Sequence, residues 1–262
     1  FLKSSYKTRG KAERQRELFP ELVKDLDAER KKRSEQTVWN DQNSSAYKDE
    51  LCKEAEPLLG PTLTRQMRNN FLRMVIRLFS LCFGLEGCKA PCVEGYVAHI
   101  AKRPDAVPRV SQPFPLSAYD QARVDFHEDC EVEDGKAEWV KHGESCDWAS
   151  PSFVVDAKNK GLIGRPVRDY RHPNAQTVET AWPSPDGERI LRSAQNAWLQ
   201  SLLDCIWGFT QVQIDKETSV LLTLITRRGL LRPLVLFFCS KQGPGIFQCL
   251  MASRLACLRG HE

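Results

Sequence analysis

The sequence predicts an α+β fold preceded by a charged, mainly helical segment. Residues 10–35 combine dense charge with leucines spaced four apart, which is typical of a helix with one apolar stripe. Residues 152–170 contain two strand-like runs separated by a basic turn. From Pro244 onward, apolar residues recur at helical spacing, and this pattern predicts a closing helix. Helices and strands are both required, so the predicted class is α+β.

Composition limits the class of protein. The 262 residues suffice for one large or two small domains, with 41% hydrophobic and 27% charged residues and a net charge of +4. That charge permits an anionic partner without requiring one. Phe1 is not a start methionine, so a fragment is expected. Ten cysteines follow no secretory signal, which favours an intracellular location, cytoplasmic or nuclear. The longest apolar run near the C-terminus is too short for a membrane span.

The first 92 residues are interpreted as a charged helical N-terminal segment or a polyprotein linker. Leu18, Leu22 and Leu26 form a narrow stripe that is sufficient to dock on a partner but not to stand alone. A second helix is predicted from Leu63 to Phe83. Both a linker and a helical interaction module are compatible with this pattern.

The chain becomes rich in proline from residue 101. Four prolines in residues 101–115 predict an extended connector. Ser117 or Ala118 then opens a short helix. The strands Ser152–Asp156 and Ile163–Tyr170 are predicted to pair as a β-hairpin with a basic tip.

The C-terminal part holds an acid in an unusual setting. After a helix predicted at Glu188–Ala197, the run "SLLDCIWGFTQVQI" is interpreted as strand, tight turn, strand, with Asp204 in its apolar first half. Burying an unpaired carboxylate costs several kcal/mol, so the sequence raises the question of why Asp204 is there. "SVLLTLIT" and "LLRPLVLFF" are predicted to be further strands, the second with Pro233 at its start or on an edge.

Four segments carry a resemblance when they are taken in order. They are "WASPSFVV", "GRPVRDYRHPN", "LLDCIWGFTQVQI" and "RRGLLRPLVLFF…QGPGIFQCLM". Together they resemble the reverse transcriptases of gypsy-type LTR retrotransposons over roughly residues 93–258. The resemblance implies a right-hand polymerase fold in residues 93–262, with the fingers and a partial palm. The implied fingers are residues 111–178 and 212–242, and the implied palm is residues 179–211 and 243–262.

The resemblance gives Asp204 a role. In the family, the aspartate of "LD" is a metal-binding carboxylate of the palm, so the resemblance implies that Asp204 is catalytic and binds Mg²⁺ in a two-metal site. A carboxylate on a rigid strand end suits Mg²⁺, which prefers hard oxygen ligands. From the residues alone, Asp204 capped by a backbone N–H or paired with an arginine is the alternative.

The resemblance also implies a dNTP-binding set. Phe209 matches the aromatic residue that excludes a 2′-hydroxyl, and Phe238 matches the aromatic residue beside the templating base pair. Lys158 and Arg165 match hairpin residues that bind the triphosphate, with Lys160 as a competing lysine. The alternatives are a core aromatic on the turn and a solvated hairpin tip. Asp169, Tyr170 and Arg171 are assigned to the scaffold and to template contact.

The sequence departs from the family at two points. Cys239 replaces the usual glycine, and no Tyr-x-Asp-Asp occurs in the 262 residues. The implied function is RNA-directed DNA polymerization, a nucleotidyl transfer, in a retrotransposon polyprotein fragment whose two-metal site is incomplete. The implied partners are an RNA or DNA template–primer, dNTP, and RNase H and integrase domains in the parent element, with no membrane. The alternative is a catalytically inactive remnant that binds nucleic acid or acts as an interaction module.

Overall fold

The computed structural model divides into two compact units, residues 23–90 and residues 1–22 with 91–262. The structure describes residues 18–36, 44–76, 84–85, 91–158, 161–179, 182–183, 186–195, 202 and 204–256. Helices and a mixed sheet are both present, so the predicted α+β class is confirmed. The boundary expected between residues 92 and 93 stays a prediction.

The unit of residues 23–90 is helical where it is described. The helices at this end of the chain are α1 (Pro20–Gln36), α2 (Ser45–Ala55) and α3 (Arg65–Asn70). A 3₁₀ turn, Glu56–Leu58, follows α2, and a π-helical stretch, Phe71–Ile76, follows α3. The last part of the helix predicted to reach Phe83 lies outside the described residues.

Local capping explains where these helices begin. The hydroxyl oxygen of Ser44 accepts a hydrogen bond from the backbone N–H of Tyr47 at 3.2 Å, and that of Thr64 accepts one from Met67 at 3.2 Å. Tyr47 and Leu51 are buried in a small core. In α1, Leu22 and Leu26 are buried as the stripe predicted, whereas Leu18 is 63% exposed.

The other unit contains the sheet. Its described strands are, in chain order, β1 (Val97–Ala98), β2 (Ala137–Trp139), β3 (Ser150–Val155), β4 (Arg165–Arg168), β5 (Gln213–Ile214), β6 (Leu224–Ile225) and β7 (Leu230–Pro233). Five of them form a sheet in the order β2-β7-β6-β3-β4, in which only β3 and β6 are parallel. Strands β1 and β5 form a separate parallel pair.

The predicted hairpin and the helix before it are confirmed. Strands β3 and β4 are antiparallel, with Val155 opposite Arg165. Helix α4 (Ala118–Glu133) begins after Ser117, whose hydroxyl accepts a hydrogen bond from the N–H of Asp120 at 3.0 Å. The proline-rich connector before this helix forms only isolated β-bridges.

The remaining helices of this unit and strand β7 correct two predictions and confirm a third. They are α5 (Arg171–Ala175), α6 (Gly187–Ala194), α7 (Lys216–Leu221) and α8 (Gly243–Arg254). The strand predicted for "SVLLTLIT" is wrong over its first half, because Asp215 caps α7 by accepting from the N–H of Thr218 at 2.9 Å. Pro244 opens α8 as predicted. Pro233 ends β7, which is an interior strand, so the predicted start or edge position is also wrong.

The core of this unit joins the sheet to α7 and α8. Leu224 and Leu231 from the sheet, Leu221 from α7 and Leu250 from α8 are almost fully buried. The hydroxyl of Tyr170 donates a hydrogen bond to the carbonyl of Leu222 at 2.9 Å, which satisfies its polar group inside the core. Within the described residues, no helix has the length and apolar character that crossing a bilayer requires.

Candidate nucleic-acid interface

Three phenylalanines form an aromatic cluster beside the core. The ring centroids of Phe209 and Phe238 lie 5.0 Å apart, and those of Phe209 and Phe247 lie 5.4 Å apart. Both pairs are T-shaped, which is a favourable arrangement for aromatic rings. Phe209 and Phe247 are partly buried, whereas Phe238 is 42% exposed. The structure therefore brings two predicted nucleotide-binding residues together and leaves one ring open to solvent.

The backbone next to Phe238 is strained. Cys239 has a φ of 77°, in the left-handed region that favours glycine. A non-glycine residue there costs about 1–2 kcal/mol. The glycine expected from the resemblance at this position therefore has a local conformational reason, and Cys239 occupies the same conformation with a side chain.

Asn174 holds this turn on both sides of Cys239. Its side-chain N–H donates to the carbonyl of Cys239 at 2.9 Å, and its side-chain oxygen accepts from the N–H of Lys241 at 2.9 Å. Lys241 also pairs with Glu179 at 2.9 Å, and the side chain of Gln242 donates to the carbonyl of Val178. The segment that follows the hairpin is thus attached to the turn that carries Phe238.

A buried arginine anchors the hairpin at the two ends of its connecting loop. Arg123 in α4 pairs with Asp156 at 2.7 Å and donates to the carbonyl of Ile163 at 3.2 Å. Lys158 is exposed on the loop after β3, and Arg165 is exposed at the start of β4. The two predicted triphosphate residues therefore lie on opposite arms of one anchored hairpin. Lys160, the competing lysine, lies outside the described residues.

The end of β4 leads from the hairpin into the core. Arg168 is buried, pairs with Glu131, and places its guanidinium 4.3 Å from the ring centroid of Phe237. Burial lowers the pKa of Arg168 from its ordinary value, with Tyr170 and other nearby groups opposing that change. The buried setting also raises the pKa of the Tyr170 hydroxyl. These contacts place Arg168 and Tyr170 in the scaffold beneath the turn that carries Phe238.

Asp169 and Arg171 are paired to each other at the surface. The guanidinium of Arg171 donates two hydrogen bonds to the Asp169 carboxylate, at 2.7 and 2.6 Å. These bonds lower the pKa of Asp169. Arg171 is 87% exposed at its side chain, so its charge faces solvent beside the hairpin.

Asp204 does not have the setting that its sequence predicted. Residues 202 and 204–205 form no strand, and Asp204 is exposed, as is Leu202 at 98%. A strand requires a neighbour to pair its backbone groups, and none of the described strands pairs with this stretch. The second half of the motif is closer to expectation, since the 3₁₀ turn Gly208–Gln211 leads into β5. The desolvation problem raised by the sequence therefore does not arise in this structure.

Three residues of the candidate site were not assigned from the sequence. Asn174 is the last residue of the segment "GRPVRDYRHPN", and Phe247 lies in the segment "QGPGIFQCLM", so both lie in segments that carry the resemblance but had no assigned role. Arg123 had no such signal, because its contacts in the hairpin loop lie more than 30 residues away in sequence.

The fold is of the α+β class and resembles that of a retroviral reverse transcriptase. The structure is similar to that of the prototype foamy virus protease–reverse transcriptase, with a TM-score of 0.63 and 16% sequence identity. The similarity covers 80% of this chain and 26% of the foamy virus chain. At that identity, the similarity shows the fold.

Sequence similarity points to polyproteins. The chain is 33% identical over 101 residues to the enzymatic polyprotein of cauliflower mosaic virus, and 31% identical over 108 residues to that of figwort mosaic virus. It is also 30% identical over 115 residues to an uncharacterized protein of Caenorhabditis elegans. These alignments cover 38%, 40% and 43% of this chain but only 15%, 16% and 9% of the relatives. No family model matches the chain.

Proposed function

We propose that this chain is the nucleotide- and template-binding part of an RNA-directed DNA polymerase, a reverse transcriptase from a gypsy-type retrotransposon polyprotein. The aromatic cluster carries the proposal. Within a reverse transcriptase-like fold, Phe238 offers an exposed ring next to a backbone turn, supported by Phe209. Exposed aromatic rings stack well on nucleic acid bases.

The proposed roles follow from the chemistry of each side chain. Phe209 presents a flat, rigid face that leaves little room for a 2′-hydroxyl on an incoming nucleotide. The exposed ring of Phe238 lies against the base pair being formed. Lys158 and Arg165 bind the triphosphate of the dNTP, Lys158 with a mobile ammonium and Arg165 with a planar guanidinium.

The proposed polymerase activity requires a two-metal Mg²⁺ site, and the described residues supply only part of it. Asp204 supplies an exposed carboxylate, which is a ligand type that Mg²⁺ prefers. However, the part of the chain that the structure describes contains no group of three His, Cys, Asp or Glu side chains that could hold a metal ion. We therefore propose Asp204 as one ligand of the Mg²⁺ site and derive no metal-assisted step from the described residues.

The proposed partners are those of a polyprotein polymerase. They are an RNA or DNA template–primer, dNTP, and RNase H and integrase domains of the parent element, in the cytoplasm or nucleus and without a membrane. The similarity to viral enzymatic polyproteins supports the polyprotein origin, because the alignment covers only 15% of the cauliflower mosaic virus relative.

A second candidate function is nucleic-acid binding without catalysis, as in a retroelement remnant. Cys239 favours it, because a side chain stands where glycine allows a nucleotide to approach the backbone closely. Both candidates predict nucleic-acid binding, and only the first predicts synthesis once further carboxylates are present.

We expect primer–template binding to weaken steeply with salt, because phosphate contacts release counterions. Replacing Lys158 or Arg165 by Ala should each reduce the slope of log affinity against log salt by roughly 1. Lys53→Ala is the control, since Lys53 is 72% exposed on α2 and pairs with Glu50. Fluorescence anisotropy across a salt series measures the slopes. Affinity that does not change with salt, or equal slopes for all variants, contradicts the proposed hairpin role.

The 262 residues alone should extend no primer in the presence of Mg²⁺ and dNTPs. A single carboxylate does not hold two metal ions in place, and the two-metal mechanism requires both. A gel-based extension assay on an RNA template, with primer–template binding verified in the same sample, measures this. Template-dependent extension that disappears in Asp204→Asn would show that the described residues already form a sufficient metal site.

A further inference from the structure

The orientation of Phe238 depends on a turn whose backbone conformation is unfavourable for a residue other than glycine. Cys239 follows Phe238 directly and has a φ of 77°, which side chains other than glycine rarely adopt. A turn of this kind relaxes unless surrounding contacts maintain it. The position of an exposed ring one residue away changes if the turn relaxes.

Asn174 supplies the contact that maintains the turn. One amide group spans the strained residue, donating to the carbonyl of Cys239 and accepting from the N–H of Lys241, each at 2.9 Å. Donor and acceptor are both used, so only the amide oriented this way satisfies the two backbone groups. Asn174 does not contact Phe238 through these bonds and acts on it through the backbone.

We propose that Asn174 is a positioning residue for base stacking: it holds Cys239 in the left-handed conformation and thereby sets the ring of Phe238 for a nucleic acid base. This inference rests on the proposed function, because it assumes that Phe238 stacks on bases. It adds a residue to which the resemblance assigned no role, and it links the segment after the hairpin to the aromatic cluster.

The test compares two single-stranded DNA probes of equal length, oligo-dT and an abasic oligonucleotide. Both carry the same phosphates, but only oligo-dT provides bases for stacking. For the unmodified chain we expect oligo-dT to bind about fivefold more tightly than the abasic probe. Asn174→Ala should bring that ratio close to 1 and leave the affinity for the abasic probe unchanged.

A rescue variant and a matched control sharpen the test. Glycine adopts the left-handed conformation without cost, so the double variant Asn174→Ala with Cys239→Gly should recover at least half of the lost preference for bases. Glu179→Gln removes the ion pair to Lys241 but neither amide hydrogen bond, and it should keep the full preference. A purely structural role for Asn174 predicts loss of both probes and no rescue by glycine.

The outcomes separate the two proposals. Equal affinity of the unmodified chain for both probes removes base stacking and with it the proposed role of Phe238. A preference for bases that persists in Asn174→Ala overturns the positioning role and leaves the proposed function standing. If Asn174→Ala loses both probes, Asn174→Asp is measured in the same way. It retains an acceptor for Lys241 but no donor for Cys239, and an undiminished preference for bases in that variant also overturns the inference.

Discussion

Replacing Gly164 by Ala should destabilise the protein by about 4 kcal/mol, because it adds overpacking to backbone strain. Gly164 has a φ of 69°, and a Cβ there would overlap the guanidinium of Arg123 and lie 2.6 Å from the carbonyl oxygen of Val155. The side chain of Arg123 is 3% exposed and anchors the connecting loop of the hairpin. A displaced, buried guanidinium loses the partners that compensate for its charge.

Gly135→Ala is the matched control for Gly164→Ala. Gly135 follows α4 with a φ of 68°, almost the same as Gly164, but no atom lies within 4 Å of a Cβ built there. It should therefore lose only about 1 kcal/mol, the cost of the backbone conformation. Urea denaturation of the two variants measures the difference in free energy of unfolding. Losses that agree within about 0.5 kcal/mol would show that Arg123 moves away without cost.

Two neighbouring residues on α4 should give the stability of this protein opposite pH dependences. Burial raises the pKa of Glu128 from 4.5 to about 7, although hydrogen bonds and charge from Arg228 oppose this, and Asp125 and Asp129 add to it. Burial lowers the pKa of His127 from 6.5 to about 4, with Arg168 and Arg123 adding to this and a bond to the Ile163 carbonyl opposing it.

The signs of the two effects differ. Glu128 binds its proton more tightly when the protein is folded, so its contribution to stability is lost as pH rises from 4.5 to about 7. His127 binds its proton less tightly when folded, so its contribution is lost as pH falls from 6.5 to about 4. Each contribution to the free energy of unfolding amounts to about 3 kcal/mol over its pH range. The two contributions nearly cancel where the pH ranges overlap.

Glu128→Gln should therefore remove the Glu128 contribution to the pH dependence of stability. Relative to the unmodified protein, its free energy of unfolding should fall by about 3 kcal/mol between pH 6.5 and pH 4.5, because only the His127 effect remains. His127→Gln should change in the opposite direction, losing stability as pH rises over the same range. Urea denaturation at four pH values measures both slopes. Parallel pH profiles for the two variants would contradict the pKa directions assigned to both groups.

The sequence was most informative where local signals decide the structure. The hairpin, the start of α4 after Ser117 and the start of α8 at Pro244 all follow from residues within one turn of the feature. The failure at "SVLLTLIT" is also local, since an apolar run alone does not separate a buried helix from a buried strand. Asp215, whose carboxylate caps α7, was the available signal.

The candidate site was less predictable because its contacts are distant in sequence. Asn174 lies 65 residues from Cys239, and no spacing rule connects them. The exposure of Asp204 was likewise not predictable, because an apolar composition does not specify which segments pair as strands. The resemblance pointed to Phe209 and Phe238 separately, and no feature of the sequence indicated that their rings contact each other.

The order of strands in the sheet also affects how the chain folds during translation. Strand β3 takes its parallel partner β6 at the pairs Ser150–Leu224 and Pro151–Ile225, so the partner is synthesised about 70 residues later. At ribosomal rates of about 5–20 residues per second, the nascent β3–β4 hairpin waits on the order of ten seconds with one edge unpaired. Unpaired edges of apolar strands template aggregation. The yield of soluble protein therefore depends on translation speed and on chaperones that cover this edge, independently of the stability of the finished fold.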